Sequence, residues 1–308
     1  MKRWTRPVPV ASIFILFLLL SPLRADSTKL GLVKIAGCQF PVSSNVRENG
    51  RWILQQMHQA KQNGADFVHF PECALSGYAG VDYDTLANFD WQELTEQTRS
   101  ILAAADELDL WVLLGSMHRL SEGHKPHNCV YVINPQGQIV DRYDKRFCTD
   151  GDLRHYTPGD HFVTFTVNGV VCGVLICFDV RFPELYRAYK KLGVQLLFHS
   201  FYNARQKKGS IHPVIMPVTA QAHAGINHVF ISMTNSSAKH SWPCHFITPD
   251  GLIEDKLKVD RPGVLISTVD LSREYYDASK SFRDDAINGK LNSGETIEDV
   301  RSQNRQEF

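Results

Sequence analysis

From Leu32 onward the chain is written as short apolar runs alternating with stretches whose apolar residues recur at helical spacing, and no Pro/Ser-rich linker or internal repeat interrupts it. That alternation restricts the fold more than any single motif, because strands and amphipathic helices following one another so closely have to share one layered core. Leu32 to Phe40, Asp66 to Phe70, Trp111 to Ser116, Val194 to His199, Val229 to Thr234 and Val264 to Val269 read as strands. Asn45, with Glu48 following in the capping-box position, opens a helix whose apolar face carries Ile53, Met57 and Ala60. Further helices are predicted over Gln92 to Leu108, Pro183 to Leu192 and across Val214 to Ala224. Asn134-Pro135-Gln136-Gly137, Asn168-Gly169 and Asp250-Gly251 mark hairpins. Hairpins supply antiparallel pairs and crossover helices supply parallel ones, so an α/β protein with mixed sheet is expected.

A chain of 308 residues with 43% hydrophobic and 21% charged residues can bury one large core. Lysine plus arginine and aspartate plus glutamate both number 33, with no long run of one sign. Nothing therefore selects nucleic acid, and a small neutral or weakly charged partner is expected. Lys2, Arg3 and Arg6 precede the apolar run Val10 to Leu20, and Leu23-Arg24-Ala25 follows it, the layout of a secretory signal peptide over residues 1–25. The run is shorter than the ~20 residues a spanning helix needs, so no stable membrane span is expected. The mature protein is accordingly expected to be exported, periplasmic or secreted, whereas a start codon placed too early would leave it cytoplasmic. The folded domain is expected over residues 26–285, with 286–308, rich in charge and amides, as a C-terminal arm. Seven cysteines without a CxxC pair signal neither a zinc site nor a disulfide scaffold, and the odd number leaves a free thiol. His240, Cys244 and His245, or His124, His127 and Cys129, lack the spacing of a metal-ligand set.

Three segments carry chemistry. In Val170 to Arg187, VVCGVLICFDVRFPELYR, an apolar strand stops at Cys177 and a helix opens at Pro183. A side chain on such a sharp strand-to-helix turn projects from the sheet, and nearby backbone N–H groups can bind a negative oxygen. The competing reading is an ordinary buried cysteine at a strand end. In Phe67 to Tyr78, FVHFPECALSGY, Glu72 directly follows an apolar strand, where a carboxylate is costly unless paired or used; a surface-loop carboxylate is the alternative. In Ile139 to Phe147, IVDRYDKRF, Lys145 sits just past a hairpin strand, and with Arg142 and Arg146 it would otherwise form a solvated basic patch.

Together these segments resemble the nitrilase superfamily, the carbon–nitrogen hydrolases, over most of the chain from Leu32 to about Ser293. The FPE, YDK and C-F-D-x-R-F-P-E segments occur in the family's order, and the last resembles the amidase, omega-amidase and Nit-like branch. The resemblance implies a four-layer α-β-β-α sandwich that pairs as a homodimer or higher homo-oligomer, with Glu72, Lys145 and Cys177 catalytic. It implies a small amide as substrate and needs no metal or cofactor. Cys177 would attack as thiolate, Glu72 would move the protons, and Lys145 with the backbone N–H of Phe178 would hold the oxyanion, a contact worth ~3–4 kcal/mol in other enzymes.

Two positions depart from the pattern. Many members carry a second glutamate six residues before a PGD-like turn, whereas counting back from Pro158 gives Asp152 and no glutamate lies between Lys145 and Cys177. Asp152 is therefore expected to position substrate beside Lys145, with a loop cap or Asp150 as the rival reading. Phe147 stands where many relatives have histidine. The resemblance favours amides of short acids. N-carbamoyl amino acids are the next choice, with Arg181 or Arg205 meeting a carboxylate. Acyl transfer to an amine and a catalytically weak scaffold on the same fold are the other readings weighed.

Overall fold

The computed structural model describes residues 30–203 and 206–308. The expected leader and Arg205 lie outside the described residues. Period-two alternation in the first strand decides where its side chains go: Val33 and Ile35 face one core, while Ala36 and Cys38 face another. In chain order the strands are β1 (Leu32–Gln39), β2 (Phe67–His69), β3 (Trp111–His118), β4 (His127–Ile133), β5 (Ile139–Asp144), β6 (Thr164–Val167), β7 (Val170–Ile176), β8 (Leu196–Ser200), β9 (Phe230–Thr234), β10 (His245–Ile247), β11 (Ile253–Lys256) and β12 (Gly263–Asp270). They form two six-stranded sheets, ordered β12-β1-β2-β3-β4-β5 and β11-β10-β9-β8-β7-β6. Strands β1, β2 and β3 are parallel, as are β7, β8 and β9, and the flanking pairs are antiparallel. Both sheets are thus mixed, as the hairpin and helix signals require.

Helices α1 (Val46–Gln62) and α2 (Trp91–Leu108) cover the first sheet. Their starts are fixed by Asn45 and Asp90, whose side chains accept the N–H groups of Glu48 and Glu93 at 3.0 and 2.9 Å. Ile53, Met57 and Ala60 are fully buried, as their spacing predicts. Helices α3 (Pro183–Lys191) and α4 (His212–Asn227) cover the second sheet. Between the sheets, Phe67 from the first packs on Phe198 and Phe165 from the second with ring centroids 5.1 and 6.2 Å apart. The result is the four-layer α-β-β-α sandwich.

The same side-chain logic brings strand ends together. Ser200 Oγ and Thr234 Oγ1, at the ends of β8 and β9, both donate to the Phe70 carbonyl just beyond β2 at 3.1 Å. The carboxyl ends of the parallel strands of both sheets therefore meet at one place. β2 is shorter than Asp66 to Phe70 because the chain turns away into Pro71, which has no N–H to continue a ladder. Gly115 on β3 makes that turn possible: a Cβ there would lie 1.9 Å from the Pro71 carbonyl oxygen.

Helix α5 (Arg283–Ile287) is held where the buried Arg283 guanidinium donates to Asp277 Oδ2 at 2.9 Å and to the Ile226 carbonyl at 3.0 Å. Residues 288–308, including the short α6 (Val300–Gln303), are all exposed. Ile211, Val214, Val218 and Ile226 leave an exposed apolar stripe along α4. Among the described residues no helix is long and apolar enough to cross a membrane.

Candidate active site

Cys177 begins directly where β7 ends, as the first residue of a 3-10 turn over Cys177–Arg181 that hands the chain to α3. Its φ of +44° lies in the left-handed region, which a non-glycine residue occupies only at a cost that its surroundings must offset. The carboxylate of Asp179, buried inside the turn, accepts the N–H of Ile176 at 2.9 Å and caps it. Cys177 itself is only partly buried, unlike the sealed Cys172 on the same strand.

Glu72 is fully buried beyond the end of β2, and its carboxylate is fixed by three donors. Oε1 accepts Lys145 Nζ at 2.8 Å and Asn128 Nδ2 at 2.7 Å, and Oε2 accepts the N–H of Tyr202 at 3.0 Å. A carboxylate offers about four acceptor directions, and Glu72 lies near enough to the Cys177 thiol to act on it electrostatically. Lys145, one residue past β5, is fully buried rather than part of a solvated patch. Its ammonium donates to Glu72, to Asp152 Oδ2 at 2.9 Å and to Tyr78 Oη at 3.3 Å. Arg142 and Arg146 are engaged elsewhere, with Asp144 and the Asp160 carbonyl.

Asp152 opens a 3-10 turn over Asp152–Arg154, and that turn carries its backbone close enough for the shorter side chain to reach Lys145 directly. Oδ2 also accepts the N–H of Thr149 at 2.9 Å, and Oδ1 accepts the hydroxyl of Tyr78. The residue caps its loop and meets the lysine at once, whereas Asp150 is exposed. Gly159 of the PGD turn fits against β5 only without a side chain, since a Cβ there would lie 2.5 Å from the Asp144 carbonyl oxygen.

The electrostatics divide the two carboxylates. Burial pushes the Glu72 carboxyl above its ordinary range, with Lys145 opposing and Asp152 adding to the rise. Burial acts on Asp152 in the same sense, but Lys145 and the hydrogen bonds from Tyr78, Lys145 and Thr149 outweigh it and hold Asp152 low. Burial works against the Lys145 charge too, yet the surrounding Glu72, Tyr78, Cys177 and Asp152 keep its pKa well above the usual lysine value. The Cys177 thiol is pushed well up by burial and by Glu72, against the pull of Lys145. The resting site thus holds a neutral thiol, a lysine cation, a firmly ionised Asp152 and a proton-receptive Glu72, and carboxylates separated in this way take different roles in acid–base chemistry.

A cavity of about 310 Å³ reaches this cluster at Tyr78 and Asp152, with Arg154, His155, Tyr202 and Asn203 also in its wall, while Glu72, Lys145 and Cys177 lie behind that wall. It is at the small end for ligand sites. A larger concavity of about 600 Å³ beside Trp91, Arg119 and Lys125 shares Arg154 and His155 with it but contains none of the buried cluster. Of the residues singled out from sequence, Glu72, Lys145, Asp152 and Cys177 come together. Phe178 is half-buried in the elbow, while Arg181 is exposed at its far end; neither lines the cavity. Sequence reading missed Tyr78, Asn128, Tyr202 and Asp179. Two of them were within the quoted segments, Tyr78 after Glu72 and Asp179 after Cys177, but only the fold gives them partners.

Residues 34–276 match the family profile described as carbon-nitrogen hydrolase. Among curated proteins the chain is similar to nitrilase homolog 2 of Dictyostelium discoideum, 29% identical over 187 residues, or 58% of this chain and 56% of that protein. It is also similar to omega-amidase NIT2 of Xenopus tropicalis, 31% identical over 170 residues, or 52% and 60% of the two chains. A third relative is an (R)-stereoselective amidase of Pseudomonas sp, 30% identical over 209 residues, or 67% and 70%. The chain spans less than two thirds of the length of the first two of these. Among solved structures it is similar to a mutant of the amidase from Nesterenkonia sp. AN1 showing the result of Michael addition of acrylamide at the active-site cysteine. The TM-score is 0.69 at 19% identity, covering 84% of this chain and 100% of that one. With the profile spanning nearly all of the sandwich, and Glu72, Lys145 and Cys177 meeting where its strands end, the chain belongs to the carbon-nitrogen hydrolase family.

Proposed function

We propose that this protein hydrolyses the C–N bond of a small linear amide through a thioester on Cys177, releasing ammonia. The observation that carries the reading is the buried Glu72–Lys145 pair gathered beside Cys177 at a left-handed strand end next to a small cavity. Because the resting thiol is protonated, attack requires a base in contact with it. Glu72 takes the proton as Sγ bonds to the carbonyl carbon and the carbonyl oxygen becomes an oxyanion. Lys145 stabilises that oxyanion; its bond to Tyr78, the longest of the three it makes to Glu72, Asp152 and Tyr78, is the one the oxygen replaces. The N–H of Phe178 is the second donor. Glu72 then returns its proton to the nitrogen, the C–N bond breaks, and ammonia leaves the thioester. Water attacks in turn, giving one proton to Glu72, and the C–S bond breaks to release the acid and restore the thiol.

Amides of short acids fit this reading best. The cavity is small, Arg154 and His155 stand in its wall, and omega-amidases are among the relatives. Asp152 would orient the substrate's amide group while holding Lys145 in place. Pairing with a second copy through the apolar stripe on α4 is part of the proposal, and sedimentation of Val218→Glu, expected to shift toward monomer, checks it. The function itself is tested by screening the protein against a panel of linear amides with ammonia as readout. Turnover of short amides that is lost in Cys177→Ala supports it, and turnover retained in that variant overturns it.

A further inference from the structure

Asp179 is fully buried, touches neither the cavity nor Glu72, and yet it joins the two segments that bring nucleophile and cation together. Its Oδ2 accepts the N–H of Ile176, the residue before Cys177, at 2.9 Å and the hydroxyl of Tyr143 at 2.9 Å. Its Oδ1 accepts the N–H of Phe147 at 2.9 Å. Tyr143 and Phe147 flank Lys145 two residues to either side. One carboxylate therefore ties the elbow on the second sheet to both shoulders of the lysine on the first. Two of its donors are backbone N–H groups, so what it holds is main-chain position, and charge-assisted bonds of this kind are short and directional.

We propose that Asp179 is a positioning residue that sets the placement of Cys177 relative to Lys145, so that the oxyanion position between them exists before substrate arrives. The inference rests on the function proposed above. A displacement of about 1 Å in such a constellation can cost about a hundredfold in rate even when the altered residue is remote from the chemistry. Nothing else among the described residues links these two segments through a single side chain with bonds to both main chains.

Asp179→Asn keeps the shape but turns an amide NH2 toward one of the donors. With its oxygen retained by Ile176 and Tyr143, the bond to Phe147 is lost and the lysine segment is released. Two readouts are compared in the full-length protein: kcat and KM on the amide turned over fastest, and the pH dependence of iodoacetamide alkylation of Cys177 followed by peptide mass. Asp179→Asn is expected to lower kcat at least about tenfold with KM within about threefold. It is also expected to move the alkylation midpoint upward by about half a pH unit or more, because a displaced Lys145 no longer favours the thiolate. Tyr143→Phe leaves both N–H bonds intact and is expected to keep kcat within about threefold and the alkylation midpoint within about 0.2 pH unit, since losing one of several neutral donors costs little placement.

A lowered melting temperature with wild-type kcat and alkylation midpoint would overturn the proposal, as would a Tyr143→Phe loss as large as that of Asp179→Asn. Should Asp179→Asn fail to fold, Phe147→Pro removes the N–H while Phe147→Ala keeps it. A kcat loss in the first and not the second supports the strut, and equal behaviour overturns it. The alkylation profile needs no substrate, so it still reports on Asp179 if no amide in the panel is hydrolysed.

Discussion

Strands β2 and β7 leave their sheets in the same manner: within a few residues of each end a cysteine takes up left-handed backbone, Cys73 at φ +51° and Cys177 at φ +44°. Their thiols are displaced alike, well up, by burial first and by Glu72 second. They differ in which residue the turn presents to the buried Lys145. At β2 the presented group is Glu72, and Cys73 is sealed behind it, donating to Asn128 Oδ1 at 3.4 Å and lying 3.9 Å from the Tyr156 hydroxyl. At β7 the presented group is the cysteine, which keeps partial access. Thiol acidity does not separate a structural cysteine from a nucleophile here. Access and the direction of the turn do.

The largest effect that would break the comparison concerns the two cysteines. Cys177→Ala is expected to lower ammonia release below about 0.1% of wild type with the fold retained. Cys73→Ala is expected to keep kcat within a few-fold while losing about 1–2 kcal/mol in denaturant unfolding. The reverse assignment of effects would end the argument. Lys145→Met comes next, because it leaves Glu72 and Asp152 side by side in the interior without their cation. It should reduce kcat about 10²–10³-fold and destabilise the fold by about 3–5 kcal/mol; normal stability with lost activity would mean the carboxylates find water or protons easily.

Asp152→Asn retains a hydrogen-bonding side chain but not its charge, and about a tenfold loss in kcat with a smaller change in KM is expected. Near-normal kinetics with a lowered melting temperature would make Asp152 a loop cap only. The smallest effect lies in pH. Glu72 must be ionised to accept the thiol proton, and its pKa is raised. Activity should therefore fall as pH drops through a midpoint above the ordinary glutamate range, a limb absent from any residual rate of Glu72→Gln. An acid limb at ordinary carboxylate values would contradict the burial argument.

Much of this was legible in the sequence because it is local. Asn45 and the apolar spacing of Ile53, Met57 and Ala60 specify α1 within one segment, and Asn168-Gly169 makes its hairpin because both residues take positive φ, +49° and +79°. Asp152, singled out by counting back from Pro158, reaches Lys145. The reach itself was not legible: it depends on a 3-10 turn whose position is set by Thr149, whose hydroxyl accepts the Asp152 N–H at 3.1 Å. Asn128 and Tyr202 meet Glu72 from 56 and 130 residues away, and Gly115 matters only because the Pro71 carbonyl lies against it. No local pattern encodes such pairings. The anchor just before the expected arm was equally hidden, since Arg283 finds Asp277 and the end of α4 only in the fold.

The central claim, a thioester on Cys177, is tested most directly by acid-quenching the enzyme during turnover of a short amide and weighing it intact, followed by peptide mapping. The expected result is a mass increase equal to the substrate minus ammonia, confined to the peptide that carries Cys177 and absent from Cys177→Ala. An acyl group on another residue, with the Cys177 thiol unmodified and ammonia still released by Cys177→Ala, would contradict it.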